Sequence, residues 1–269
     1  MKGTNAMKKI GIVGGVAWPS TVDYYSEICR RSEEWHLACN PQAAPATPEM
    51  TIESLDLTKA LSYIGRDDDE KSWAKFDDYH RAALQRLERS GADFALIASN
   101  SPHHRFASIV RGVTIPVISI FDAVAKESAR MGVCEVLILG TALTMRSPKF
   151  RQEFARYGIE AAGPQDEWVR AMIVSLISEL QKDRTAGTRE RIANLARVSF
   201  KRQFGAQPVV CLACTELPLA FPEQRMLSTF TCDGVVYINS TAVHIKAAFD
   251  FAVNCQTRSG EGSVNSIRL

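Results

Sequence analysis

The chain has 269 residues, 46% of them hydrophobic and 23% charged, with a formal net charge of +2. This length suits one large domain or two of roughly 130 residues, and the near-neutral balance argues against the basic field that draws a protein to nucleic acid. No apolar run reaches the roughly 18 residues that span a bilayer, and the opening stretch Met1 to Met7 lacks a signal peptide's apolar segment, so a cytoplasmic protein without membrane contact is expected.

Along the chain, short β-branched runs alternate with longer amphipathic stretches, the pattern of βαβ units around a parallel sheet. Strands are predicted over 9–13, 50–55, 94–98, 117–120, 135–139, 208–213 and 235–238. Helices are predicted over 20–35, 73–90, 120–131, 149–157, 166–182, 188–204 and 241–253. Capping hydroxyls mark two starts, Ser20-Thr21 before Val22 and Ser147-Pro148 before Lys149. The Pro-rich stretch 40–48 and the acidic stretch 66–70 read as loops placed where a cleft edge or lid would lie. The ends, 1–7 and 256–269, read as flexible tails.

Two segments read as copies of each other, Ala95-Leu-Ile-Ala-Ser99-Asn-Ser101 and Val210-Cys-Leu-Ala-Cys214-Thr-Glu216, with Ser99 and Cys214 115 positions apart. Ile10-Gly-Ile-Val-Gly14-Gly15 is likewise similar to Val136-Leu-Ile-Leu-Gly140-Thr141, and Gly91-Ala-Asp precedes its strand as Gly205-Ala-Gln does. The fold class is therefore α/β, with two pseudo-symmetric doubly wound halves and a cleft between them. Residues 8–121 would present Ser99, with the C-terminal helix packing back on this half, and residues 122–255 would present Cys214.

Seven cysteines in a chain without a secretion signal are expected to be reduced and mostly buried, Cys211 and Cys134 among them. Cys214 stands apart because its apolar run stops there and Thr215-Glu216-Leu217-Pro218 follows as a strand-to-helix turn. Reactive groups in open parallel sheets gather at such carboxyl ends, and amides of the following turn would favour a thiolate. Cys211-x-x-Cys214 lacks a second ligand pair and its side chains would point to opposite faces, so no metal site is expected. Gly11-x-x-Gly14-Gly15 is not a dinucleotide fingerprint and reads as a turn that a small anion can approach. His103 and His104 follow Ser99, but the glycines of a serine-hydrolase elbow are missing.

Several motifs together resemble the aspartate/glutamate racemase family. They are Gly11-Ile-Val-Gly-Gly15-Val-Ala-Trp18-Pro-Ser-Thr21, Ser99-Asn-Ser101-Pro-His103, Leu139-Gly-Thr141-x-x-Thr144-Met145, Cys214-Thr-Glu216 and Ile238-Asn-Ser-Thr-Ala-Val-His244. The resemblance implies a cofactor-independent amino-acid racemase, commonly dimeric, whose two cysteines stand on opposite faces of the substrate's α-carbon. One thiolate removes the proton and the opposite thiol delivers another, which suits a group whose ordinary pKa is about 8.5. The chain departs from the commoner pattern at Ser99, where the family usually has cysteine, at Ser101 for threonine and at Asn239 for aspartate.

On this resemblance Cys214 is the principal acid/base and Ser99 the opposing donor or relay. Asn100, Ser101 and Thr215 would hold the α-carboxylate, and His103 would orient that wall or simply start a helix. Trp18, Thr141, Thr144 and Met145 would line the cleft; Glu216 would hold Cys214's surroundings, meet the substrate ammonium or cap the turn. Aspartate is the first substrate expected and glutamate the second, with Arg170 or Arg146 offering a cation to the distal carboxylate. Two alternatives stand beside this reading. One is a single-cysteine decarboxylase, isomerase or lyase acting through an enolate; the other is a non-catalytic small-carboxylate binding protein.

Overall fold

The structure, a computed structural model, describes residues 7–42, 44, 46–204 and 208–253. The Gly205-Ala-Gln repeat, Cys255, residues 1–6 and the segment 256–269 lie outside the described residues. The first part of the chain runs β1 (Ile10–Gly14), α1 (Trp18–Cys39), β2 (Met50–Ser54), α2 (Leu57–Ser62), α3 (Ala74–Arg89), β3 (Phe94–Ile97), α4 (Phe106–Ile109), β4 (Val117–Ile118) and α5 (Ile120–Arg130). There follow β5 (Glu135–Gly140), α6 (Ala142–Arg146), α7 (Pro148–Ala155), β6 (Glu160–Ala162), α8 (Glu167–Leu180), α9 (Thr188–Gln203), β7 (Val209–Ala213), β8 (Thr229–Cys232), β9 (Val235–Asn239) and α10 (Ser240–Val253).

Two sheets result, with strand orders β2-β1-β3-β4 and β6-β5-β7-β9-β8. All pairings are parallel except β8 with β9. Leaving out β8, the second order repeats the first, with β5 in the place of β1 and β7 in the place of β3. The central strands β1, β3 and β7 are nearly continuous apolar runs because helices cover both faces of each sheet. Their covers are exchanged. On α10, Ile245, Ala248 and Ala252 pack with Ile10, Ile12, Phe94 and Leu96 of the first sheet, whereas α5 packs Ile120, Phe121 and Val124 against Val136, Ile138 and Ile238 of the second.

Three buried polar side chains lie where α1, α10 and β4 meet. Tyr24 Oη donates to His244 Nδ1 at 2.7 Å, and His244 Nε2 donates to the Ile118 carbonyl at 3.0 Å. The His103 ring stands edge-on to His244 at 5.7 Å and stacks on Phe106 at 5.2 Å. Burial holds both imidazoles neutral, pushing His103 down to about 3, with His244 adding to the shift, and His244 down to about 4.

Several sequence expectations are corrected. Ser20 and Thr21 do not cap α1, which starts at Trp18 with Pro19 in its first turn; Ser20 instead donates to the Ala98 carbonyl and Thr21 accepts from the Gly15 amide. Gly15 therefore offers no free amide to an anion. Its φ of +82° and a would-be Cβ only 2.2 Å from the Leu55 carbonyl show that glycine is needed for chain packing. Ile120 opens α5 instead of closing β4. Cys39 and Cys134 are exposed rather than buried, and the six described cysteines are all unbridged. Ser147 does cap α7, accepting from the Phe150 amide. Among the described residues no helix is long and apolar enough to cross a membrane.

Two stability measurements check these features. Gly91 shares Gly15's left-handed backbone (φ +81°) but has nothing within 4 Å of a would-be Cβ. Gly91→Ala should cost about 1 kcal/mol for the backbone alone and Gly15→Ala at least about 3 kcal/mol in urea melts; equal losses would disprove the packing role. The two buried histidines ionise near pH 6.5 when unfolded and at about 3 and 4 when folded. Their contribution is complete above about pH 6.5 and is lost as pH falls toward the folded values, by up to about 1.4 kcal/mol per unit for each ring. His244→Gln should flatten that fall, and an unchanged slope between pH 6.5 and 5 would refute it.

Candidate active site

Ser99 and Cys214 leave corresponding strands at the same edge of their sheets. Beyond β3, Ala98 still donates to Val13, and Ser99 then turns out of the sheet into the short 3-10 segment Ser101–Arg105. Beyond β7, Cys214 turns into the 3-10 segment Leu217–Ala220. Ser99 is half-buried, while Cys214 is only 4% exposed and packs with Met145, Leu217 and Phe221. Cys211 faces the opposite side of the sheet, among Ile138 and Phe150, as the period-two alternation of a strand requires.

A hydrogen-bonded seam draws the two strand ends together. Asn100 Nδ2 donates to Ser240 Oγ at 3.1 Å, and Ser240 Oγ donates to the Leu212 carbonyl of β7 at 2.8 Å. Ser101 Oγ lies 3.1 Å from Thr141 Oγ1, which is 3.0 Å from Thr144 Oγ1 and caps α6 by accepting from the Thr144 amide. Gly140, just before Thr141, must be small because a Cβ there would lie 2.5 Å from the Ala213 carbonyl. Asn239 caps α10, its Oδ1 accepting from the Thr241 and Ala242 amides. Ser99, Asn100, Ser101, Thr141, Thr144, Cys214 and Thr215 thus share one edge of the two sheets. Asn100 gives one Nδ2 hydrogen to Ser240 and keeps the second as a donor, while its Oδ1 is buried without a partner among the described residues.

Around Cys214 the sequence expectation is reversed. The thiol donates to Glu216 Oε2 at 2.9 Å, and burial pushes it well above the usual thiol range, with the Glu216 carboxylate adding to the shift. The amides of Thr215 and Glu216 favour the thiolate, but they are the lesser effects. Thr215 Oγ1 donates to the same Oε2 at 3.0 Å and Gln181 Nε2 to Oε1 at 3.2 Å, which fixes the carboxylate against the thiol. Glu216, 7% exposed, therefore holds Cys214's surroundings.

The remaining candidates divide. His103 donates from Nδ1 to the Ser99 carbonyl at 2.9 Å, so it supports the wall from behind. Met145 is buried in the Cys214 cluster, whereas Trp18 is 71% exposed at the start of α1. Arg146 and Arg170 share Glu167 and line, with Arg151, Met145 and Gly163, a cleft of about 310 Å³. Two participants were given no role in the sequence reading. Ser240 lay within a quoted motif, but Gln181 reaches in from the end of α8 and carries no local signal. His104 bridges Ser147 Oγ at 3.0 Å and Asp67, in the acidic loop, at 3.4 Å.

Comparison with known proteins shows the family and the fold. The family model for Asp/Glu/Hydantoin racemase matches residues 13–248. An aspartate racemase homologue from Pyrococcus horikoshii is 30% identical with a TM-score of 0.70, over 91% of this chain and 99% of that one. A candidate Asp/Glu racemase from Yersinia pestis (23% identity, TM-score 0.75, 92% and 100% covered) and the aspartate racemase of Picrophilus torridus (18%, 0.64, 91% and 94%) share the fold. A two-sheet α/β protein with a repeated strand order, matched over nearly its whole described length, the chain belongs to the Asp/Glu/Hydantoin racemase family.

Proposed function

We propose that the protein interconverts the enantiomers of a small acidic amino acid without a cofactor, aspartate first and glutamate second. The observation that carries this reading is the pairing of Ser99 and Cys214 on equivalent strand ends, joined through the Asn100–Ser240–Leu212 hydrogen bonds, in a member of a racemase family. Aspartate comes first because the 30%-identical relative is described as an aspartate racemase homologue. The working form is taken to be a homodimer, as the family resemblance implies, and cytoplasmic, as the sequence leads us to expect.

In this reading Cys214 removes the α-proton or returns it, and Ser99 relays a proton to the opposite face. An aliphatic hydroxyl is a far weaker acid than a thiol, so the two faces are unequal and Cys214 carries the harder step. Asn100, Ser101 and neighbouring amides hold the α-carboxylate and stabilise the enolate-like charge formed on deprotonation, while Thr215, whose hydroxyl proton is given to Glu216, bounds that wall. Thr141, Thr144, Met145 and Trp18 bound the substrate, and Arg146 or Arg170 meets the distal carboxylate. Because Cys214 is nearly enclosed, the carbanion would form away from bulk water.

Incubation of L-aspartate and L-glutamate in heavy water, followed by proton NMR and chiral chromatography, tests the reading. Exchange with inversion is expected, falling about 10²–10⁴-fold in Cys214→Ala. Exchange that survives in that variant would remove Cys214 from the mechanism, and exchange without inversion would favour the one-faced enolate chemistry of a decarboxylase. Ser99→Cys should raise racemisation at least tenfold if the hydroxyl is the weaker of the two groups; an unchanged rate would show that Ser99 does not transfer a proton.

A further inference from the structure

We infer that a second small-molecule site, for a polar α-amino acid held as its zwitterion, lies where the start of α8 meets the end of α9, apart from the edge that carries Ser99 and Cys214. A cleft of about 350 Å³ opens there, lined by Gln165, Asp166, Ser199, Arg202 and Gln203, within the range of roughly 300–1,000 Å³ usual for small ligands. None of these residues is among those gathered around the two strand ends. All five side chains are polar, and they bring one carboxylate and one guanidinium to a single cavity, Asp166 and Arg202 forming an ion pair.

Three features separate this cleft from an ordinary polar surface. Ser199 is only 3% exposed, and its Oγ has no hydrogen-bond partner among the described residues, an arrangement that folded chains rarely keep because a buried hydroxyl is costly until a partner reaches it. Asp166 stands at the N-cap of α8, where an aspartate ordinarily accepts from the amides of its own helix, yet its side chain makes no such bond and turns to Arg202. Gln203 uses both ends of its amide on the turn before α8, Oε1 accepting from the Gln165 amide at 3.1 Å and Nε2 donating to the Gly163 carbonyl at 3.2 Å, so the cleft has a fixed frame. The helix ends add a field that suits a zwitterion: the N-terminal end of α8 carries partial positive charge and the C-terminal end of α9 partial negative charge. Arg202 and the first amides of α8, which Asp166 leaves uncapped, take the α-carboxylate; Asp166 takes the α-ammonium, and Ser199 Oγ a polar side chain. The Asp166–Arg202 pair is partly exposed and therefore weak, so it opens to a ligand that gives each charge a new partner.

The test is calorimetric titration of the native protein with L-serine, and with glycerate and ethanolamine, which lack its ammonium and its carboxylate respectively. No turnover is read, so the outcome does not depend on the racemase reading. L-Serine is expected to bind with a Kd below about 10 mM, and glycerate and ethanolamine at least about tenfold more weakly, because each leaves one charge of the site without its partner. Asp166→Asn and Arg202→Gln should each weaken L-serine binding at least about tenfold. Ser199→Ala should weaken it about threefold or more while leaving Tm unchanged or raised, since the hydroxyl it removes has no partner to lose. No heat from L-serine at about 10 mM, equal binding of glycerate or ethanolamine, or full affinity in the Asp166 and Arg202 variants, which would place the bound serine elsewhere, would each overturn the inference. Should either charge variant fail to fold, Ser199→Ala decides the matter, full affinity there again counting against the site.

Discussion

Two hydrogen bonds in series, Asn100 Nδ2 to Ser240 Oγ and Ser240 Oγ to the Leu212 carbonyl, tie the turn after β3 to the strand that carries Cys214. Among the described residues no ladder joins the two sheets; what makes one site of two strand ends is this buried polar contact between them. Burying a donor is costly unless it finds an acceptor, so the seam holds the halves in one register. The exchange of covering helices works in the same direction, since α10 completes the first sheet after leaving the second.

The chemistry gathered at the seam follows from strand polarity. In a parallel sheet all C-terminal ends lie on one edge, so repeating the same strand order places two turns against each other without further design. The turns then diverge. One offers a half-buried hydroxyl with a histidine bracing its carbonyl, and the other an enclosed thiol braced by a carboxylate.

The α/β class and the repeat were legible because periodicity and the copied segments around Ser99 and Cys214 are local properties of the chain. The cap at Ser147 was legible for the same reason. The strands β6 and β8 were not, because they are short edge strands whose burial patterns are mixed. Asp233-Gly234, both with positive φ, is the two-residue hairpin signal that marks β8. The state of Cys214 was misread for a physical reason. The amides of a following turn can be inferred from sequence, but the burial and the carboxylate contact that outweigh them arise only in the folded chain.

The inequality of the two faces carries a thermodynamic corollary. Enantiomers have the same free energy in water, so a racemase must show equal kcat/KM in its two directions whatever groups it uses. A thiol facing a hydroxyl cannot make one direction more efficient than the other; it can only divide the shared value differently, the enantiomer that turns over more slowly being held more tightly. Asymmetry between Ser99 and Cys214 would thus surface as a handed binding preference, and at high substrate concentration the protein would release one enantiomer more slowly than its mirror image.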